Sequence, residues 1–155
     1  MTKLFLYKIY NNNLKQTKMN YLVKVRASVT QEDGKVKRVN DLYFVSALSV
    51  YEAVVKTSEA LKDAYQNGFE LFEIKESNVS ELFGIKDTDE PKYFEAKFVI
   101  VEQDDSGKVK NHKQTVLVQS DDMRSAYNTF IESMKGTMVD YTEVGLKETA
   151  IIGLI

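Results

Sequence analysis

The chain has no cysteine. That absence excludes disulfide bridges, thiolate zinc sites, iron–sulfur clusters and a cysteine nucleophile. It has one histidine, His112. Without a second one, a zinc site would have to be built from carboxylates, which zinc rarely uses alone. A Ser-His-Asp triad would have only His112 as its base. His112 stands beside Lys110 and Lys113, a charged setting in which a histidine is expected to face solvent. Long apolar runs are missing as well. No stretch approaches the ~18 apolar residues of a spanning helix, and Leu4–Tyr10 is too short and too polar for the apolar region of a signal peptide. The Gly-Lys pairs lack the spaced first glycine and following Ser or Thr of a P-loop. No dinucleotide fingerprint and no Gly-x-Ser-x-Gly elbow occurs. The expectation is a cytoplasmic protein with no membrane partner and no cofactor. No catalytic, cofactor-binding or metal residue is assigned, and the protein is not expected to be an enzyme.

The chain has 155 residues, 43% of them hydrophobic. A chain of this size buries roughly two-thirds of its unfolded surface and needs no staple to hold a core. The net charge of −2 conceals an asymmetry. Residues 1–18 hold Lys3, Lys8, Lys15 and Lys18 and no acid, which leaves 17 basic against 23 acidic residues in the rest. An acidic body is the reverse of the footprint of a phosphate-backbone binder.

A repeat organises the chain. Gly34-Lys35-Val36-Lys37 recurs 73 positions later as Gly107-Lys108-Val109-Lys110. The same offset pairs Lys24 with Lys97, Val45 with Val118, Ala53 with Ala126, Glu59 with Glu132 and Lys62 with Lys135. Near the end of each copy the offset becomes 72, where Lys75-Glu76-Ser77 matches Lys147-Glu148-Thr149.

Each copy reads the same way. Tyr21–Val29 and Tyr93–Glu102 are rich in aromatic and β-branched residues, as strands are. Polar turns with Asp33-Gly34 and Ser106-Gly107 then signal hairpins. The return strands, Lys35–Val45 and Lys108–Val118, are long enough to hold a bulge. Ser49 with Glu52 forms a capping box, and Asp122 stands at the equivalent cap. Val50, Ala53, Val54, Leu61 and Ala64 make an apolar stripe at helical spacing, as do Met123, Ala126, Tyr127, Phe130 and Met134. Gly68 and Gly136 are placed for left-handed C-terminal caps. Helices are therefore predicted over Val50–Asn67 and Met123–Lys135, and third strands over Phe69–Lys75 and Thr137–Lys147. Short apolar tails, Val79–Phe83 and Ile151–Ile155, close the copies.

The predicted class is α+β: a tandem duplication of a ββαβ unit, giving one mainly antiparallel sheet with two helices on one face. The expected organisation is a basic extension over 1–18, a first repeat over 19–86, a linker over 87–91 carrying the single proline, Pro91, and a second repeat over 92–155. The repeats are expected to form one pseudo-symmetric domain, because about 65 residues are marginal alone.

Asn20-Tyr21-Leu22-Val23-Lys24-Val25-Arg26, Phe44-Val45-Ser46-Ala47-Leu48-Ser49, and above all Met138-Val139-Asp140-Tyr141 followed by Lys147-Glu148-Thr149 resemble a domain-of-unknown-function family, number 4494. The resemblance covers residues 19–155. It implies a setting in Bacteroidetes and their crAss-like and other bacteriophages, and it supplies no activity. The ending Ile151-Ile152-Gly153-Leu154-Ile155 departs from the acidic-aromatic tail of many members. Members begin near Met19, which makes residues 1–18 an upstream extension from an early start codon; the alternative is an extra strand at Leu4–Tyr10.

Acidic groups are plentiful: Asp87/Asp89/Glu90, Asp104/Asp105 and Asp121/Asp122. Clustered carboxylates serve two-metal phosphoryl transfer, but these sit where turns, helix starts and linkers favour Asp. Asp140, Glu143 and Glu148 recur in the resembled family's motif, although strand alternation could turn them to solvent. Two binding functions follow. The leading one is a non-catalytic phage- or mobile-element-type accessory protein that acts as an interaction module for a protein or a small ligand, with a homodimer compatible with it. The alternative is a nucleic-acid binder in phage replication or recombination. It would grip the backbone with Lys35, Lys37, Arg38, Lys108, Lys110 and Lys113 and stack bases on Tyr21, Tyr43 or Tyr93.

Overall fold

The computed structural model describes residues 18–155. The expected Leu4–Tyr10 strand lies outside them. The described chain opens with β1 (Met19–Thr30) and β2 (Val36–Ala47), followed by α1 (Val50–Leu61), β3 (Phe69–Glu76) and β4 (Val79–Phe83). The order then repeats as β5 (Lys92–Gln103), β6 (Val109–Ser120), α2 (Met123–Lys135), β7 (Tyr141–Glu148) and β8 (Ile151–Leu154). The class is α+β, as the sequence predicts.

The hairpins carry the duplication in their hydrogen bonds. In the first, the Gln31 amide donates to the Lys35 carbonyl (2.7 Å) and the Gly34 amide to the Gln31 carbonyl (2.9 Å). In the second, Asp104 donates to Lys108 and Gly107 to Asp104, both at 2.9 Å. Gly34 (φ 80°) and Gly107 (φ 83°) hold the left-handed position that each loop requires. β1 and β2 pair without a register shift, as do β5 and β6. The bulge expected in the return strands lies instead in the third strands. The register slips between Lys24 and Val25 opposite β3, and between Lys97 and Val99 opposite β7.

The strands form two four-stranded sheets, β3-β1-β2-β8 and β4-β6-β5-β7, where a single sheet is expected. The reason lies in the tails. β4, which closes the first repeat in sequence, runs parallel to β6 of the second. β8, which closes the second, lies beside β2 of the first. Each return strand thus has its outer edge occupied by a tail, so it cannot extend into a continuous sheet. The compact units follow this exchange: one runs to Ser77 and includes Gly153–Ile155, the other is Asn78–Ile152.

The helices start as predicted. The Ser49 hydroxyl accepts from the Glu52 amide (3.1 Å), and the Asp122 carboxylate accepts from the Ser125 amide (2.8 Å). That bond holds the Asp122 carboxyl below its ordinary range. α2 spans the predicted residues, but α1 stops at Leu61. Gly68 is left-handed at φ 76°, in a turn beyond the helix. Gly136 is right-handed, with φ −67°, and Met138 takes the positive φ instead.

The buried helical faces are Ala53-Thr57-Leu61 and Ala126-Phe130-Met134. Val50, Met123 and Tyr127 of the predicted stripes are exposed, and so is Ala64. Spacing of i, i+4, i+8 makes a narrower contact than the full stripe, because each helix lies on a single sheet. In the first unit Tyr21, Val23, Val25, Tyr43 and Val45 pack with α1. In the second, Phe94, Ala96, Phe98, Val116 and Val118 pack with α2.

One polar device joins the first unit's loop to its sheet. The Tyr65 hydroxyl donates to Asp41 Oδ2 (2.7 Å) and lies 2.6 Å from the Tyr43 hydroxyl. Tyr65 has one proton to give, so Tyr43 is the donor of the second bond. Burial pushes the Tyr65 pKa far above 10, with the Tyr43 contact and Asp41 adding to it, and burial also raises Tyr43. A phenol raised in the fold contributes stability that is complete below its unfolded value, about 10, and lost as pH climbs past it. Tyr65→Phe is expected to cost about 1–2 kcal/mol near neutral pH. It is also expected to flatten the loss of stability above pH ~10, read as melting temperature against pH. An unchanged alkaline slope would rule out this hydroxyl pair as its source.

Candidate functional site

Two non-glycine residues with positive φ occur among the described residues, Met138 and Glu143, both at 56°. Such backbone costs of order 1–3 kcal/mol unless its surroundings fix it, and it gathers at working sites. Met138 lies in the turn that leads into β7 and Glu143 near the start of that strand, on either side of Val139-Asp140-Tyr141.

Glu143 sits in the bulge opposite Phe98, where the register slips. A bulge re-aims the side chain it carries, and Glu143 lines a cleft of about 380 Å³. Lys97, Phe98 and Val99 of β5 and Lys113, Gln114 and Thr115 of β6 form its floor and one wall. Gly145 of β7 and Asn78 complete it. The register explains the opening. Lys97 faces Thr115 on one side and Gly145 on the other, so the row has no side chain at one end. Lys97 Nζ rests 3.3 Å from Glu95 Oε1. Lys113 and Glu143 make no ion pair among the described residues.

The first copy shows what closes such a cleft. There the cross-strand partner of Lys24 is Glu73, and the two meet at 2.7 Å. The Lys24 contact lowers the Glu73 pKa. Arg26 lies over the Phe72 ring, 4.2 Å from its centroid. The second copy has Val99 where the first has Arg26, and Gly145 where it has Glu73. Its charge pair is dismantled and its long side chain shortened.

A second, more apolar cavity of about 240 Å³ opens on the helix side of the same strands, among Phe83, Ile100, Val116, Met134 and Val139. Phe98 and Gln114 border both cavities.

The other predicted residues are scattered or accounted for locally. Lys35, Lys37, Arg38, Lys108 and Lys110 are exposed on the two hairpins, and Lys113 joins the cleft. Lys110 faces Glu102 in register. Residues 28–40 carry three basic and two acidic groups, and residues 102–113 carry three of each. Tyr21, Tyr43 and Tyr93, proposed as base-stacking rings, are buried at 3%, 9% and 4% exposure. Tyr21 and Tyr43 belong to the inward face of their sheet, and none of the three presents a ring to a base. His112 is exposed, with Nε2 3.2 Å from Glu102. Asp104 accepts from the Ser106 amide and hydroxyl and the Lys108 amide, which closes its turn. Thr149 bonds the Tyr93 carbonyl through both its amide and its hydroxyl. The Ser77 amide bonds the Asn20 carbonyl at the matching place. The Lys-Glu-Ser/Thr tails are therefore strand-end fasteners. No group of three or more His, Cys, Asp or Glu able to hold a metal ion occurs among the described residues. No helix among them is long and apolar enough to cross a membrane.

Fold and site together define an α+β protein of two like units, one carrying an open cleft. The chain belongs to the family described as Domain of unknown function (DUF4494), whose model matches residues 19–155. No curated protein and no solved structure matches it.

Proposed function

We propose that the protein is a non-catalytic binding module and that the second unit's cleft is its binding site for a small ligand. The setting we infer is that of a phage- or mobile-element-type accessory protein in the cytoplasm of a Bacteroidetes host. The observation that carries the site is the contrast between the copies, Glu73 paired with Lys24 against Gly145 beside Lys97. A volume of about 380 Å³ suits a small molecule. An apolar floor with a few convergent polar groups is the usual form of such a site. Nucleic-acid binding by the hairpins is the weaker reading, because their charges nearly cancel.

Gly145→Glu restores the first copy's arrangement. A Cβ at Gly145 meets only the Lys97 carbonyl, at 3.9 Å, so the substitution is expected to leave folding unchanged. Amide NMR of the full chain against nucleotides, amino acids, short peptides and sugar phosphates is expected to find ligands that shift Lys97, Thr115 and Gly145, and G145E is expected to abolish those shifts. Ligand shifts that survive G145E would remove the cleft from consideration. Labelled DNA and RNA are expected to show no salt-dependent binding to residues 19–155. Binding that disappears when Lys35, Lys37, Lys108 and Lys110 become Glu would establish the nucleic-acid reading instead.

A further inference from the structure

We infer that the cleft takes a zwitterion of dipeptide size, with its carboxylate on Lys113, its ammonium on Glu143 and its body across Val99. The inference rests on the reading of this cleft as a ligand site.

Charge and spacing carry it. Lys113 and Glu143 are the cleft's two ionic groups without an ion-pair partner among the described residues, and they differ in sign. Val99 faces Lys113 on one neighbouring strand and Thr142, next to Glu143, on the other. Adjacent strands lie about 4.8 Å apart, so the backbones that carry the two charges are separated by roughly 10 Å. A ligand meeting both holds its own charges several bonds apart. A free α-amino acid does not do this; the two ends of a dipeptide do. Thr115 and Asn78 supply hydrogen-bonding groups along the way. Those groups suit a peptide amide, and Val99, half-buried between Lys113 and Thr142, offers apolar surface to a side chain. Lys97 is engaged with Glu95, and Glu95 also faces Lys147 in register, so Lys97 can turn to the ligand's carboxylate at little cost.

The test is calorimetric and NMR titration of the full chain with leucyl-leucine, its N-acetyl form, its C-terminal amide and free leucine. The free dipeptide is expected to bind, and each blocked form to lose about tenfold or more, the loss typical of a charged hydrogen bond. Glu143→Gln is expected to erase the penalty of acetylation and leave that of amidation. Lys113→Gln is expected to do the reverse. Both side chains are exposed and both substitutions conservative, so folding is expected to hold, checked by the amide spectrum. An acetylation penalty that survives E143Q, or free leucine binding as tightly as the dipeptide, would overturn the inference. A different ligand abolished by G145E would overturn the peptide assignment and leave the site standing. Dipeptide binding insensitive to G145E would overturn both.

Discussion

Phe130→Ala is expected to destabilise the second unit by about 3–5 kcal/mol, the range for deleting a buried aromatic side chain. Phe130 is fully buried at the centre of the inward face of α2. Its ring meets Phe98 edge-on at 5.2 Å and Tyr141 at 5.5 Å, with Phe83 tilted at 6.3 Å. Phe98 and Tyr141 also meet each other, at 5.9 Å. Three strands and a helix therefore converge on one ring, and alanine leaves a cavity that β-sheet backbone cannot close. Such aromatic pairs add about 0.5–1.5 kcal/mol each beyond area burial.

The first copy supplies a control of opposite sign. Its equivalent residue is Thr57, also fully buried, with its hydroxyl lacking a hydrogen-bond partner. A buried hydroxyl without a partner carries a desolvation penalty of about 1–3 kcal/mol. Thr57→Val keeps the shape and removes the hydroxyl, and is expected to stabilise by about 1 kcal/mol. Urea unfolding of both variants, followed by circular dichroism and by NMR in each unit, reads the two effects. A cost below ~1 kcal/mol for F130A would show that the ring is not the keystone of that core.

Elements governed by local chemistry were legible in the sequence. Asp-Gly and Ser-Gly set the hairpins, Ser49 and Asp122 set the helix starts, and the 73-residue offset set the equivalences. What escaped was relational. Thr57 looks polar until its register with Phe130 places it on the inward face. Gly136 looks like a left-handed cap until Met138 takes that conformation. The tails look like the ends of their own copies, because nothing in five apolar residues says which strand they join. The cleft had one readable signal, the mismatch of Glu73 with Gly145 beneath the match of Lys24 with Lys97. That signal acquires meaning only once the register shows that these residues face each other.

Deleting Gly153–Ile155 is expected to cost about 3 kcal/mol, and to cost it in the first unit. The Ile155 amide donates to the Phe44 carbonyl (2.8 Å), and the Ser46 amide donates to the Ile155 carbonyl (3.2 Å). Two backbone bonds contribute about 1 kcal/mol each. The Ile155 side chain, packed against the cluster of Tyr21, Val23, Tyr43 and Val45, adds about another 1–2 kcal/mol. Gly153 lies against the Tyr43 ring, where a Cβ would come within 3.3 Å, so this tail is fitted to that strand. Its loss also bares a β2 edge rich in Phe44 and Val45, an invitation to strand pairing between molecules. Hydrogen exchange distinguishes the exchanged topology from the one read off the repeats. With β8 on the first sheet, the Ser46 amide loses its partner and its protection first, and the first unit's Val23, Val25 and Val45 follow. Were the tail to close its own copy, the loss would appear at Phe94, Ala96 and Val116, and the strand order β3-β1-β2-β8 would be wrong.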